Sequence, residues 1–273
     1  PGHPHARNSF ALLKPKCVEL PVDDNGVVVA GLPELDYLFV TPSHQSPTTV
    51  TLSLDRRRCL LREAGQRDFV IIEDDYEAEN LYAGEPMPAL KSLDPSGRVI
   101  YIGSVSKSLS PVLRLGYIVA PQALIKELRV IRHAMVRHPS AFLQHAYALF
   151  LSLGHHDSHA RRVNAAMQER LELAARALRE HLPAFEFTLP QGGASIWVRA
   201  PAWVDADELA LLARGHGVLI EAGPVFFSKP PYPCPFFRLR LSSIVAAQIP
   251  AGVRALALAV DELAQGRGAR SSG

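Results

Sequence analysis

Short apolar runs alternate with polar, helix-like stretches in the N-terminal half of this chain, and this alternation limits the fold more than any other feature. Each run is compact enough to be a buried strand: Tyr37–Thr41, Phe69–Ile72, Val99–Ile102 and Gly116–Val119. The stretch Leu54–Ala64 has helical spacing and many arginines, which predicts an amphipathic surface helix. Strands that alternate with helices predict an α/β fold with a mostly parallel sheet flanked by helices, and its functional residues are expected at the strand ends.

In the C-terminal half, the sequence pattern first predicts helices and then both helices and strands. Helices are predicted over Ala123–Arg137, Ala141–Leu153, Ser158–His181, Asp205–His216 and Pro250–Ala264. Strands outside the four apolar runs are predicted over Lys16–Val22, Phe185–Leu189, Ala194–Arg199, Val218–Glu221 and Phe236–Leu241. The pattern predicts a large domain over residues 1–155, a smaller α+β domain over residues 156–265 and a disordered tail over residues 266–273.

The composition is that of an ordinary globular protein, with 48% hydrophobic and 21% charged residues. A formal net charge of +2 is too small to indicate nucleic-acid or membrane binding by this chain. Cys17, Cys59 and Cys234 are scattered, without metal-ligand spacing or a disulfide framework, which predicts a reducing, cytoplasmic setting. No signal-peptide pattern and no apolar run of membrane-spanning length occurs in the sequence.

One lysine stands in a polar turn between two apolar strands, in the segment Tyr101–Pro121. An amine at the end of a buried strand suits a nucleophile on a rigid frame, and lysine is the residue that forms Schiff bases with carbonyl cofactors; this singles out Lys107. Ser104, Ser106 and Arg114 add hydroxyl donors and a planar cation, which suit a phosphate monoester. The alternative is an exposed lysine in a loop between two strands.

A run of acids ends the strand that begins at Phe69. Asp74, flanked by Glu73 and Asp75, can accept a hydrogen bond from the N–H of a pyridinium ring and keep the ring nitrogen protonated. The alternative for this cluster is that its carboxylates cap the next helix. Lys107, Asp74 and the group Ser43-His44-Gln45 all follow strand ends, where parallel sheets place their sites.

The residues from Ser104 to Gly116, S-x-S-K-x-x-x-P-x-x-R-x-G, resemble the cofactor-lysine motif of fold-type I pyridoxal phosphate (PLP) enzymes. Among these proteins, the motif is most similar to that of the aminotransferase-like domain of MocR/GabR-type (GntR superfamily) transcriptional regulators. The resemblance implies that PLP forms an aldimine with Lys107 and that Asp74 contacts the ring nitrogen. It also implies that Tyr76 approaches the ring oxygen and that an amine or amino-acid effector displaces the lysine.

The segment Thr41–Thr48 resembles the loop beneath the cofactor in the same family. Ser46 stands where aminotransferases carry an asparagine that contacts the ring oxygen, and Thr49 stands where they carry a glycine. His44 or Gln45 is a candidate substitute for the asparagine. The alternative for His44 is a loop histidine with a structural role.

The segment FFRLRLSS resembles the late family strand whose arginine binds the substrate carboxylate, which implies this role for Arg238. Arg240 replaces the glycine of the family pattern. A shift of two residues keeps the same strand face, so the pattern leaves Arg240 open as the carboxylate ligand. The other alternative is an edge strand with solvated arginines.

Three histidines, His155, His156 and His159, lie beside Asp157 and raise the question of a metal site. The same cluster also reads as the start of a helix. We expect no metal here, since no further ligand is apparent.

The resemblance covers nearly the whole chain but only part of the family's domain, so the chain is expected to be N-terminally truncated. In the family, on the order of a hundred preceding residues supply the helix N-terminus that holds the phosphate, and a winged helix-turn-helix lies further upstream. DNA binding is expected only through that absent module, and a homodimer is implied. The chain alone is expected to bind PLP weakly or not at all. Two rival functions remain: a class I/II aminotransferase acting on an amino acid and a 2-oxo acid, and a cofactor-free oligomerisation remnant.

Overall fold

The computed structural model describes residues 1–271, with side chains up to residue 267. The helices are α1 (Pro4–Ala11), α2 (Leu54–Arg67), α3 (Leu90–Leu93), α4 (Gln122–Val136), α5 (Ala141–Ser152), α6 (His155–His181), α7 (Ala206–Gly215) and α8 (Ile249–Ser271). The strands are β1 (Val22–Asp23), β2 (Gly26–Val27), β3 (Tyr37–Val40), β4 (Val70–Asp75), β5 (Val99–Ser104), β6 (Gly116–Val119), β7 (Glu186–Phe187), β8 (Ser195–Arg199), β9 (Glu221–Ala222) and β10 (Phe236–Arg240).

The chain folds into two compact units. The lysine unit, named for Lys107, comprises residues 20–45 and 50–165. The arginine unit, named for Arg238, comprises residues 1–19, 46–49 and the chain from residue 166 onwards. The predicted boundary at residue 155 lies at the start of α6, which begins in the lysine unit and ends in the arginine unit.

The lysine unit is built on a four-stranded sheet in the order β3-β4-β5-β6. β3 pairs with β4 and β4 with β5 in parallel, whereas β6 joins β5 antiparallel. The sheet is therefore mixed and mostly parallel, which confirms the predicted α/β fold. The predicted strand Lys16–Val22 is wrong: a two-residue antiparallel hairpin of β1 and β2 stands there, because Asp23-Asp24-Asn25-Gly26 turns the chain back at once.

Helix α2 supplies much of the core of this unit. Its buried positions follow the i, i+3, i+4, i+7 spacing of one helix face: Arg57, Leu60, Leu61 and Ala64. The three apolar members, Leu60, Leu61 and Ala64, belong to one hydrophobic cluster with residues of β3, β4 and β5, including Leu38, Ile71 and Val99. By contrast, β6 is exposed along its length, and no residue of α4 or α5 is buried within the described chain.

The arginine unit contains a four-stranded antiparallel sheet in the order β7-β8-β10-β9. β10 is an interior strand of this sheet, so the alternative of an edge strand with solvated arginines is wrong. The core of the unit is formed by fully buried apolar side chains from the sheet and helices, among them Ile196, Val198, Leu209 and Phe237.

The first nineteen residues pack in the arginine unit, although the sequence analysis assigned them to the large domain. The Gly2 N–H donates to the Phe226 carbonyl at 2.8 Å, and the Arg7 guanidinium donates to the Val225 carbonyl at 2.8 Å. These bonds join residues more than two hundred positions apart, which no local pattern encodes. The predicted domain ranges as a whole stay a prediction.

Helix α8 continues to Ser271, so residues 266–271 are helical where a disordered tail was predicted. The buried residues Leu256, Val260 and Leu263 anchor the helix, and propagation from an anchored helix adds one hydrogen bond for each residue fixed. Residues 272 and 273 of the predicted tail lie outside the described residues. Within residues 1–271, no helix is long and apolar enough to cross a membrane.

Candidate functional site

The carboxyl ends of β4 and β5 meet at one edge of the sheet and define the candidate site. The two strands are parallel, with Asp74 in register with Ile102 and Asp75 with Gly103. Asp74 thus lies on the strand next to the one that ends at Ser104 and leads into the Lys107 turn. All the residues predicted to hold the cofactor lie in the lysine unit.

Glu73 caps the helix that follows it, α3, which was the structural alternative for the acidic cluster. Its two carboxylate oxygens accept hydrogen bonds from the N–H groups of Leu90 and Lys91 at 2.7 and 2.8 Å, at the first turn of α3. Its Oε1 also lies 3.9 Å from Arg57 Nη1, and both side chains have no exposed surface. Burial raises the pKa of Glu73, against the opposing effect of the two N–H donors and the guanidinium.

Asp74 is left available for other chemistry. It is only partly buried, and burial, followed by the charge of Asp75, raises its pKa from 3.8 to about 6. A cationic group placed beside this carboxylate would relieve that cost, which is the environment that a pyridinium ring provides. Asp75 is oriented differently, since its Oδ2 accepts a hydrogen bond from the Tyr101 hydroxyl at 3.3 Å.

The turn that follows β5 presents Lys107 to solvent. Val105 is buried and its carbonyl accepts hydrogen bonds from the N–H groups of Leu109 and Ser110, at 3.0 and 3.3 Å, which close the turn. The Ser106 N–H donates to Ser104 Oγ at 3.2 Å. These hydrogen bonds close the turn, and Lys107 is an exposed residue within it.

Hydroxyl groups and one guanidinium complete the predicted phosphate cradle. Ser108 is buried, and among the described residues its Oγ has no hydrogen-bond partner. Arg114 follows a short 3-10 helix capped by the Ser110 hydroxyl, adopts a left-handed backbone with φ of 51°, and is exposed. A lysine in an exposed turn, a buried hydroxyl without a partner and an exposed arginine fit the aldehyde and phosphate of PLP.

Tyr76 and His44 are brought together by a hydrogen bond. The Tyr76 hydroxyl donates to the His44 carbonyl at 3.1 Å, which ties the end of the acidic segment to the loop after β3. His44 is 3% exposed, and burial lowers its pKa from 6.5 to about 4, although nearby backbone groups of Glu77 and Asn80 favour the protonated ring. The ring is therefore neutral at pH 7. Its role at a cofactor ring oxygen stays a prediction.

Arg238 lies in the arginine unit, within β10. Its Nε and Nη2 donate to Glu221 Oε2 at 2.8 and 2.6 Å, and its guanidinium lies over the Phe226 ring. Arg240 is exposed on the same strand. The sequence analysis identified neither Glu221 nor Arg57 as a partner at these positions. The helical spacing between Arg57 and Leu60 could have predicted that Arg57 is buried. No sequence pattern indicates that Glu221 pairs with Arg238 across two strands.

The histidine cluster at the start of α6 is held by local contacts. His156 Nε2 lies 3.1 Å from Glu79 Oε2, and the Phe150 ring contacts the rings of His155, His156 and His159. No group of three or more metal-ligating side chains occurs among the residues that the structure describes.

The family model described as aminotransferase class I and II matches residues 1–256. The chain belongs to this family. Solved structures of aminotransferases are similar to this chain. Kynurenine aminotransferase from Pyrococcus horikoshii, in complex with PMP, is 28% identical to it and superposes with a TM-score of 0.90, over 96% of this chain and 68% of that one. LysN from Thermus thermophilus, complexed with N-(5'-phosphopyridoxyl)-L-leucine, is 26% identical with a TM-score of 0.89, over 97% of this chain and 70% of that one. The predicted PLP fold type I is confirmed.

Regulators and enzymes both occur among the curated relatives. The HTH-type transcriptional regulator TauR of Rhodobacter capsulatus is 43% identical over 95% of this chain and 54% of its own length. The probable rhizopine catabolism regulatory protein MocR of Rhizobium meliloti is 34% identical over 85% of this chain and 48% of its own length. The aromatic-amino-acid aminotransferase 1 of Thermococcus litoralis is 30% identical over 96% of this chain and 66% of its own length.

These matches confirm the resemblance to MocR-type regulators and support PLP as the predicted cofactor. The chain spans about half the length of the regulators that it matches.

Proposed function

We propose that this chain is the PLP-binding, effector-sensing domain of a MocR/GabR-like transcriptional regulator. The observation that carries the proposal is the placement of Lys107 in a closed turn directly after β5, next to the strand end that carries Asp74. The identity of 43% with TauR over 95% of the chain supports a regulator in particular.

Lys107 is the nucleophile of the proposed site. Its amine condenses with the aldehyde of PLP, with loss of water, to give the aldimine. Asp74 accepts the pyridinium N–H, and the raised pKa of its carboxyl returns towards the ordinary range when that cation lies beside it. When bound, the cofactor supplies an electron sink for the amino group that it carries.

The phosphate is proposed to bind to the Lys107 turn. Ser104, Ser106 and the unpartnered Ser108 hydroxyl offer donors, and the Arg114 guanidinium offers charge. Tyr76 is assigned to the ring oxygen together with the neutral His44 ring.

The effector is proposed to be an amine or amino acid that displaces Lys107 from the cofactor. Arg238 is the proposed ligand of an effector carboxylate, since an interior strand holds its guanidinium in place. DNA binding is assigned to a helix-turn-helix outside these residues, by analogy with the HTH-type regulators among the relatives.

A homodimer and a cytoplasmic setting belong to the same proposal. Large apolar side chains are exposed on β6, α4 and α5, including Ile118, Ile131, Met135, Phe142 and Leu149, and a second copy of the chain is their proposed cover. The three cysteines are free thiols, which suits a reducing compartment.

A class I/II aminotransferase is the second candidate, favoured by the 30% identity with the Thermococcus litoralis enzyme over 96% of the chain. The PLP-loaded chain separates the two functions when L-alanine and 2-oxoglutarate are added. A regulator is expected to change the cofactor spectrum without sustained pyruvate formation. Continuous pyruvate formation that is abolished in Lys107→Ala would favour the enzyme. A folded chain that gains no visible absorbance when PLP is added would favour the third possibility, a cofactor-free oligomerisation remnant.

A further inference from the structure

We propose that Glu221 is a specificity-determining residue that masks Arg238 against carboxylate ligands. The inference rests on the proposed role of Arg238 at the effector site. An unmasked arginine strongly favours an amino acid over the corresponding amine, because only the amino acid carries a carboxylate. With Glu221 in place, the effector site discriminates little between these two classes.

The geometry of the pair is that of a filled anion site. Arg238 and Glu221 are register partners on β10 and β9. Both Nε and Nη2 of Arg238 donate to one oxygen, Oε2 of Glu221, at 2.8 and 2.6 Å. The side edge of the guanidinium, which a carboxylate ligand uses for two parallel hydrogen bonds, is thus already taken by the protein.

The arginine is held firmly and the glutamate is the partner that solvent reaches. Arg238 Cζ lies 4.7 Å from the centroid of the Phe226 ring, and that ring is fully buried. The Arg238 side chain is 14% exposed, whereas that of Glu221 is 37% exposed. A ligand carboxylate therefore competes by turning Glu221 away, without moving the guanidinium.

The backbone that carries Glu221 is fixed against β10. A Cβ at Gly223, two residues after Glu221, would lie 2.3 Å from the Phe236 carbonyl oxygen, so only glycine permits this close approach. The approach keeps the end of β9 in register beside Arg238. The sheet thus fixes the backbone position from which Glu221 reaches Arg238.

The alternative is that the pair only stabilises the sheet, as cross-strand ion pairs do. The same sheet offers a matched control, because Glu186 and Arg199 are also register partners, with Oε2 and Nη1 3.3 Å apart. Their side chains are 74% and 58% exposed, so this pair has no buried guanidinium to mask. A purely structural role predicts that neutralising either glutamate leaves ligand preference unchanged.

The test is calorimetric titration of the 273-residue chain with L-alanine and with ethylamine, in the wild type, Glu221→Gln and Glu186→Gln. Removing the competing charge is expected to lower the Kd for L-alanine by about threefold or more in Glu221→Gln. The Kd for ethylamine is expected to stay unchanged, and Glu186→Gln is expected to match the wild type with both ligands. Glu221→Thr, with a residue suited to strands, repeats the test if Glu221→Gln does not fold.

The inference is overturned if the folded variant at position 221 binds L-alanine no more tightly than the wild type, or if no binding of L-alanine is detected in any of the three proteins. The titrations are repeated in a Lys107→Ala background, which removes the proposed cofactor lysine. A shift that persists there supports masking even if the chain forms no PLP adduct, so failure of the proposed function and failure of this inference are distinguishable.

Discussion

Arg57 and Glu73 form an ion pair in the core of the lysine unit, with Nη1 and Oε1 3.9 Å apart and neither side chain exposed. Arg57 also donates hydrogen bonds to three backbone carbonyls, those of Leu52, Pro88 and Pro42. The carbonyl of Pro42 belongs to the loop that carries His44, and Glu73 directly precedes Asp74. The pair therefore joins two segments of the candidate site to helix α2.

Replacing Arg57 by leucine is expected to destabilise the chain strongly. The change leaves the buried Glu73 carboxylate without its cation and removes one hydrogen-bond donor from each of three carbonyls, and breaking a buried pair in this way costs about 3–5 kcal/mol. Urea unfolding followed by circular dichroism measures the free energy. Arg58→Leu on the exposed side of the same helix is the control, expected within about 0.5 kcal/mol of the wild type. A loss below about 1 kcal/mol for Arg57→Leu would contradict the role assigned to the pair.

Asp74 is expected to make the chain less stable as the pH rises from about 4 to about 6 in the absence of a cationic ligand. Its folded pKa of about 6 lies above the ordinary value of 3.8, so the folded state binds more protons in this window and the slope of stability with pH is negative. Asp74→Asn removes this slope and is expected to gain about 1–3 kcal/mol at pH 7. Asp24→Asn, at an exposed position, is the control. An unchanged pH profile in Asp74→Asn would rule out the perturbed carboxyl.

His44 is expected to act in the opposite direction. Its folded pKa of about 4 lies below the ordinary value of 6.5, so the unfolded state binds more protons between these pH values and stability rises with pH. The Asp74 and His44 slopes partly cancel in the wild type, and Asp74→Asn should expose the rising His44 slope. Proton NMR of the histidine rings measures the midpoint directly. A His44 midpoint above about 6 would contradict its burial as a neutral ring.

Thr49→Gly is expected to stabilise the chain by about 0.5–1 kcal/mol. Thr49 has a backbone φ of 64°, in the left-handed region that β-branched residues rarely adopt and glycine adopts freely. The larger flexibility of glycine in the unfolded chain offsets part of the gain. Thermal unfolding of Thr49→Gly beside Thr48→Gly measures the effect. Equal destabilisation of both variants would argue against strain at position 49.

Strands β3, β4 and β5 were predictable because each is a short apolar run that contributes side chains to a core, whereas β6 forms a strand as predicted but is exposed along its length. The resemblance also places Thr49 where the family carries a glycine, and Thr49 has the left-handed backbone that glycine favours. The Lys107 turn and Asp74 were found for a related reason: reactive side chains are costly at the ends of buried strands, so their presence there indicates chemistry.

The remaining features depend on contacts that a linear pattern does not encode. Arg57 sits in a run of three arginines within the predicted amphipathic surface helix, and that prediction gave it no separate role, although its spacing to Leu60 and Leu61 places it on the buried face. Which of the three acids caps α3 is decided by side-chain direction, and Glu221 meets Arg238 only through pairing of distant strands.

The most direct test of the account is to trap the proposed bond between PLP and Lys107. The chain is incubated with excess PLP, its absorbance is recorded, and borohydride reduction is followed by peptide mass mapping; trapping detects even weak occupancy. The account predicts a band near about 420 nm that borohydride removes, a phosphopyridoxyl group on the Lys107 peptide, and loss of both in Lys107→Ala but not in the exposed Lys126→Ala. A folded chain that gives no band would contradict the claim that this chain binds PLP, and labelling of Lys107 no stronger than that of Lys126 would contradict the claim that Lys107 is the cofactor lysine.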